Sequence, residues 1–189
     1  MAAGLLRAGT ASLPLPPTVD SAGMVEAGLP AERHAVKAVA RYGVDIRDHR
    51  SKVITEPWLR DASLLIGMEL RHVREVVRLD PDLFERTYTL PELARAGAVV
   101  PRSPGEGLAE WAARAEVLRT IDDLETPRPD LEVPDPMGRS MRAFRRSAAL
   151  IAECIDLLVS SAWPMDHVPR AASVAPPPTG GPHADRDRR

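Results

Sequence analysis

Leu64-Leu65-Ile66-Gly67-Met68-Glu69-Leu70-Arg71-His72-Val73-Arg74-Glu75-Val76-Val77-Arg78-Leu79-Asp80-Pro81 reads as a strand that runs directly into a helix. Leu64 to Ile66 is a brief apolar run bounded by polar residues, the pattern of a strand buried on both faces. From Glu69 the period changes. Val73, Val76 and Val77 fall on one helical face, and Asp80-Pro81 stops the helix.

Working outward, the same alternation recurs. Downstream, Arg86 to Leu90 with Thr87, Tyr88 and Thr89 predicts a second strand. Upstream, Thr18-Val19-Asp20 predicts a short strand stopped by Ser21-Ala22-Gly23. Pro30 opens a helix that carries Ala35, Val39 and Tyr42 on one face and ends at Gly43. A short helix begins at Thr55-Glu56-Pro57 with Trp58 and Leu59, and Met1 to Ala11 is helical with Leu5 and Leu6 as anchors. The last helix carries one continuous stripe: Met141, Phe144, Ala148, Ile151, Ile155 and Leu158, at alternating spacings of three and four. Strands alternating with helices predict an α/β fold, a three-layer sandwich with a parallel sheet flanked by helices. Chemistry then belongs at the carboxyl ends of the strands, in the loops after residues 20, 67 and 90 and in the loop before the last helix.

Residues 98–132 break the alternation. Proline and glycine bracket an amphipathic helix with Leu108, Trp111, Ala115 and Leu118 on its inward face, an inserted helical flap within a domain spanning 1–163. The stretch 164–189 is rich in Pro, Gly, Ala, Asp and Arg and predicts a disordered tail.

Composition excludes several classes. A net charge of -2 gives no reason to expect nucleic acid or an anionic membrane surface as partner. No apolar run approaches the roughly 18 residues that span a bilayer. One cysteine cannot form an internal disulfide, so a reducing cytoplasm is the expected compartment. Aromatic residues are only 4% of the chain, so the core must be aliphatic, and basic charge is almost all arginine, in the manner of high-GC bacterial coding.

Few residues carry chemistry. Asp135-Pro136 precedes the last helix, where Asp as N-cap with Pro in the first turn is a favoured helix start. The functional reading of Asp135 is a general acid that protonates an alkoxide or phenoxide leaving group over a phosphate site. Cys154 lies inside the last helix, away from any helix N-terminus or cation that would stabilise a thiolate, and reads as a small buried hydrophobe. His34, His49 and His72 have no metal-ligand spacing, and His167 and His183 fall in the expected tail. Asp48-His49-Arg50-Ser51 is a polar turn suited to ordering a loop. Phosphate-binding and dinucleotide motifs are absent, so no cofactor or metal is expected.

Taken in order, the segments resemble the low molecular weight protein tyrosine phosphatase family. Met1 to Ala8 is similar to the helix behind that family's catalytic loop, and Val19-Asp20-Ser21-Ala22-Gly23 to its second strand and turn. Gly28-Leu29-Pro30-Ala31 resembles the start of the next helix, with His49-Arg50-Ser51 and Leu65-Ile66-Gly67-Met68-Glu69 following in register. Val133-Pro134-Asp135-Pro136 resembles the general-acid loop. The resemblance implies a cysteinyl-phosphate mechanism, with a C-x5-R loop cradling phosphate and Asp135 as proton donor. It implies Val25 and Met137 as the substrate-flanking positions, where aromatic or bulky residues are frequent in the family. It also implies a first, central strand and a phosphate loop ahead of Met1, both missing from this sequence. The expectations are therefore a start displaced from the true one, with the longer form hydrolysing a phosphorylated protein or small phosphate ester, and an inactive chain as written. The alternative is a non-catalytic remnant or partner-binding pseudophosphatase whose missing strand is completed by another chain.

Overall fold

The computed structural model describes residues 1–164, and the expected tail, with His167 and His183, lies outside the described residues. In chain order the elements are α1 (Ala2–Thr10), α2 (Arg33–Ala40), α3 (Glu56–Asp61), β1 (Leu65–Gly67), α4 (Leu70–Leu79), β2 (Thr87–Thr89), α5 (Leu90–Val99), α6 (Leu108–Ala115) and α7 (Met141–Ala162). The class is α/β, as expected. β1 and β2 pair in parallel, with Leu65 opposite Thr87, Ile66 opposite Tyr88 and Gly67 opposite Thr89.

Successive strand residues point to opposite faces, and this builds the layers. Leu65 turns into a cluster with Leu59 of α3, Val76 of α4 and Leu83. Ile66 packs instead against the larger core formed by α1, α2, α5 and α7. α7 is the spine of that second layer and packs against α5, α1 and α2. Its buried face holds Phe144, Ala148, Ile151, Ile155 and Leu158, the stripe read from the sequence. α5 crosses α7 closely because residue 97 is glycine: a Cβ there would stand 2.5 Å from Ser161 Oγ. No helix among the described residues is long and apolar enough to cross a membrane.

Local chemistry sets the helix starts. The Glu32 carboxylate accepts the backbone N–H groups of His34 and Ala35, so α2 begins after Glu32 and not at Pro30. Gly43, at φ 71°, closes the turn after α2 in the left-handed region that glycine adopts without strain. α5 was not predicted. Its signal is a capping box preceding an apolar run: Thr89 Oγ1 accepts the Glu92 N–H at 3.3 Å, and Glu92 accepts the Thr89 N–H at 3.0 Å.

Two expectations are corrected, and one holds. Thr18–Asp20 forms no strand; nearby, only Gly23 makes a bridge, to Val53. A strand is defined by its neighbour, and the space between this segment and β1 is a cleft. Trp111 lies inward as expected: it is fully buried, and its indole N–H donates to the Val100 carbonyl at 2.7 Å. Leu118 does not continue the inward face of α6, because α6 ends at Ala115 and the chain tightens into a 3-10 turn that leaves Leu118 half exposed.

Candidate functional site

The cleft measures about 1550 Å³ and lies between two walls of main chain, residues 17–25 on one side and residues 61–69, which include β1, on the other. Its mouth, at the carboxyl end of β1, collects the charged groups.

Asp135 stands on the loop between Val133 and α7, and that loop is held at three points. The Val133 N–H donates to the Met68 carbonyl at 2.7 Å, just past β1. Ser147 Oγ of α7 donates to the Pro134 carbonyl at 2.9 Å. The Glu132 carboxylate accepts the Leu70 N–H at the start of α4, at 2.9 Å. The Asp135 carboxylate accepts the Met137 N–H at 3.0 Å and is 48% exposed. It is therefore not the N-cap of α7. That position belongs to Ser140, five residues on, and the Asp-Pro pair closes a turn instead.

Two neighbours bear on the carboxylate. Arg71 lies 3.9 Å from Asp135 and is itself held by Glu69 at 2.6 Å. His72 accepts the Glu69 N–H on Nδ1 at 3.1 Å, which leaves the proton of the neutral ring on Nε2. Burial, and then the charge of Arg71, push the His72 pKa down, so the neutral form is favoured. Sequence reading missed Arg71 as a partner of Asp135, since nothing local links residues 64 positions apart.

Across the mouth, Lys52 donates to Asp20 at 2.6 Å, and the Ser21 N–H donates to the same carboxylate at 2.9 Å. Lys52 first and then this amide hold the Asp20 carboxyl below its ordinary range. Arg7 of α1 donates to the Val19 carbonyl at 2.9 Å. The pKa of His49 is lowered, first by burial and then by the positive charges of the amino terminus and Arg7. The polar turn at residues 48–51 orders a loop, as its composition implied. Ser51 Oγ donates to the Glu26 carbonyl at 2.7 Å and accepts the Leu29 N–H at 3.0 Å, while the Ser51 carbonyl accepts the Gly28 N–H at 2.8 Å. That loop carries Val25, 92% exposed at the cleft. Met137 is 62% exposed on the Asp135 loop but does not line the cleft.

Cys154 is buried in α7, and burial, reinforced by Glu153, pushes its thiol pKa up, the opposite of what a nucleophile needs. Among the described residues no group of His, Cys, Asp and Glu is placed to hold a metal ion. The arrangement is a half-exposed carboxylate and several anchored cations around an open space, and the buried Cys154 thiol does not line it.

The chain is similar to known proteins along most of its length. A family model described as low molecular weight phosphotyrosine protein phosphatase matches residues 1–94. A low molecular weight protein tyrosine phosphatase from T. tengcongensis superposes with a TM-score of 0.61 at 26% identity, covering 84% of this chain and 87% of that one. The arginine phosphatase YwlE from Geobacillus stearothermophilus gives a TM-score of 0.59 at 22% identity, covering 84% and 80%. The Erwinia amylovora tyrosine phosphatase AmsI gives 0.61 at 21%, covering 86% and 83%. No curated protein sequence matches the chain. The family match over the segments that build α1 through β2, and a fold shared over more than four fifths of the chain, lead to one conclusion: the chain belongs to the low molecular weight phosphotyrosine protein phosphatase family.

Proposed function

We propose that this chain is a phosphate-monoester hydrolase scaffold that carries the proton donor, Asp135, and that the 189-residue polypeptide does not turn over substrate by itself. One observation carries the reading: a half-exposed carboxylate stands at the cleft mouth while the chain's single thiol, Cys154, is buried inside α7. In cysteinyl-phosphate chemistry a thiolate attacks phosphorus and a carboxylic acid protonates the departing oxygen. The second role has a candidate here and the first has none. A longer polypeptide bringing a C-x5-R loop into the cleft would supply the nucleophile and the phosphate cradle. Its substrate would be a phosphorylated protein or a small phosphate ester. Val25 stands at the cleft and Met137 beside it on the Asp135 loop, and neither offers an aromatic ring to stack on a phenyl phosphate. The single unpaired thiol suits a reducing cytoplasm.

Hydrolysis of an aryl phosphate by the 189-residue chain tests this. The expected rate is that of buffer alone. Vanadate-sensitive hydrolysis that falls in Asp135→Asn would overturn the assignment of inactivity. The second reading, a non-catalytic partner-binding protein, is favoured by the edge of β1 that pairs with no strand among the described residues.

A further inference from the structure

A second cavity, of about 230 Å³, lies between β2 and α5 on one side and residues 115–131 on the other. It shares no lining residue with the cleft. Its second wall also falls beyond residues 1–94, the part of the chain that matches the family model. Leu70, Phe84 and Leu124, members of one buried cluster, form an apolar floor. Val99 and Leu118, both exposed, form the lip. An apolar cavity of about 150 Å³ takes up benzene, so this one has room for a ring and a small polar group.

The polar lining is unbalanced. It carries three guanidinium groups, those of Arg95, Arg119 and Arg128, and two carboxylates, Glu92 and Asp123. Both carboxylates are engaged. Glu92 accepts the Thr89 N–H and faces Arg119, and Asp123 accepts the Thr120 N–H at 2.7 Å. Arg95 and Arg128 share one further carboxylate, Asp130, at 2.7 Å and 3.6 Å. A donor is left over. Only 5% of the Arg119 side chain is exposed, and its buried Nε–H has no hydrogen-bond partner among the described residues. A buried charged donor without an acceptor is costly and rare in native structures. Solvent does not reach this one, so its acceptor has to come from a group that enters the cavity. Three guanidinium groups favour an anion in that place, and the floor favours hydrocarbon.

We propose that this cavity is a binding site for a small carboxylate on an apolar or aromatic body. The body rests on Leu70, Phe84 and Leu124, and the carboxylate accepts from Arg119, with Arg95 and Arg128 at the rim. The site stands independently of the hydrolase reading, because none of its residues belongs to the cleft or to the Asp135 loop.

The experiment uses the 189-residue chain and three probes: phenylacetate, its neutral isostere phenylacetamide, and the cation benzylamine. Binding is followed by calorimetric titration, amide chemical shifts and thermal melting. Phenylacetate should bind with a dissociation constant on the order of 0.1 mM and raise the melting midpoint as its concentration rises. The amides that shift should be those of α5 and residues 115–131. Phenylacetamide should bind about tenfold more weakly, because a charge-assisted bond is lost, and benzylamine should not bind. Leu118→Trp, at the exposed lip, occupies the space without altering any charge and should abolish binding. Arg119→Lys keeps the charge but lacks the planar fork, and should weaken phenylacetate about tenfold. Should Arg119→Lys fail to fold, Leu118→Trp and the acid-to-amide comparison still decide. The proposal is overturned if phenylacetate does not bind at millimolar concentration, if acid and amide bind equally, if Leu118→Trp binds like the parent, or if the shifts are confined to the cleft.

Discussion

The guanidinium of Arg119 lies 3.7 Å from the ring centre of Tyr88 and 4.1 Å from that of Phe84. Arg119 belongs to the segment that follows α6, and both rings belong to the domain around β2. The same side chain donates to the Phe84 carbonyl and reaches Glu92 at 3.4 Å, with only 5% of it exposed. One cation thus fastens the segment after α6 to the core around β2. Arg119→Met removes the cation–π contacts and the charge partner of Glu92, leaving that carboxylate only its bond from the Thr89 N–H, at an expected cost of about 3 kcal/mol. Arg119→Lys should recover part of this, since an ammonium cannot span both acceptors with a planar fork. Urea unfolding of the two variants checks the order. Equal stability for all three proteins would remove the clamp.

Tyr88 is fully buried, and its hydroxyl donates to the Ala112 carbonyl at 2.6 Å. Burial pushes its pKa up to about 12. The folded state therefore favours the neutral phenol. This contribution is complete below the ordinary tyrosine pKa of about 10 and is lost as pH rises from there to about 12. Spectrophotometric titration should show a phenolate that forms only near pH 12. Tyr88→Phe should cost about 1 kcal/mol, because the buried hydroxyl bond is lost while the Ala112 carbonyl keeps the Glu116 N–H.

At the acid end, Glu106 accepts from Arg114 at 2.8 Å and from the Ser103 N–H at 2.8 Å, and these contacts lower its pKa to about 2. A depressed carboxyl stabilises the fold above its unfolded value and loses that contribution as protons bind. Stability should fall as pH drops from about 4.5 to about 2. Glu106→Gln should flatten the curve of midpoint against pH in that window, and an unchanged slope would count against the pairing.

Cys154 offers a test of the site assignment. Its thiol is buried with a raised pKa, so a disulfide reagent at pH 8 should label the native chain only as fast as it opens, and quickly in urea. Rapid native labelling would reopen the question of a reactive thiol.

Gly97 marks the tightest approach in the core. Adding a methyl would bring it within 2.5 Å of Ser161 Oγ and 3.1 Å of Trp111. Gly97→Ala should destabilise by about 1–3 kcal/mol through overpacking. Combining it with Ser161→Gly should cost less than the sum of the two single changes.

What the sequence determined by itself was local. The stripe from Phe144 to Leu158 specifies the buried face of α7, and Leu64 to Pro81 specifies β1 followed by α4, because a helix period or a strand run depends only on near neighbours. α5 was legible too, in Thr89-Leu90-Pro91-Glu92, although its capping box went unread. Tertiary structure alone decided the rest. Thr18–Asp20 has strand composition but pairs with no strand among the described residues, Trp111 is buried by a core that local sequence cannot describe, and Asp135 acquires its place from Met68, Ser147 and Arg71. Pairing, burial and the meeting of charges are contacts between distant residues, and only the folded chain brings them within reach of one another.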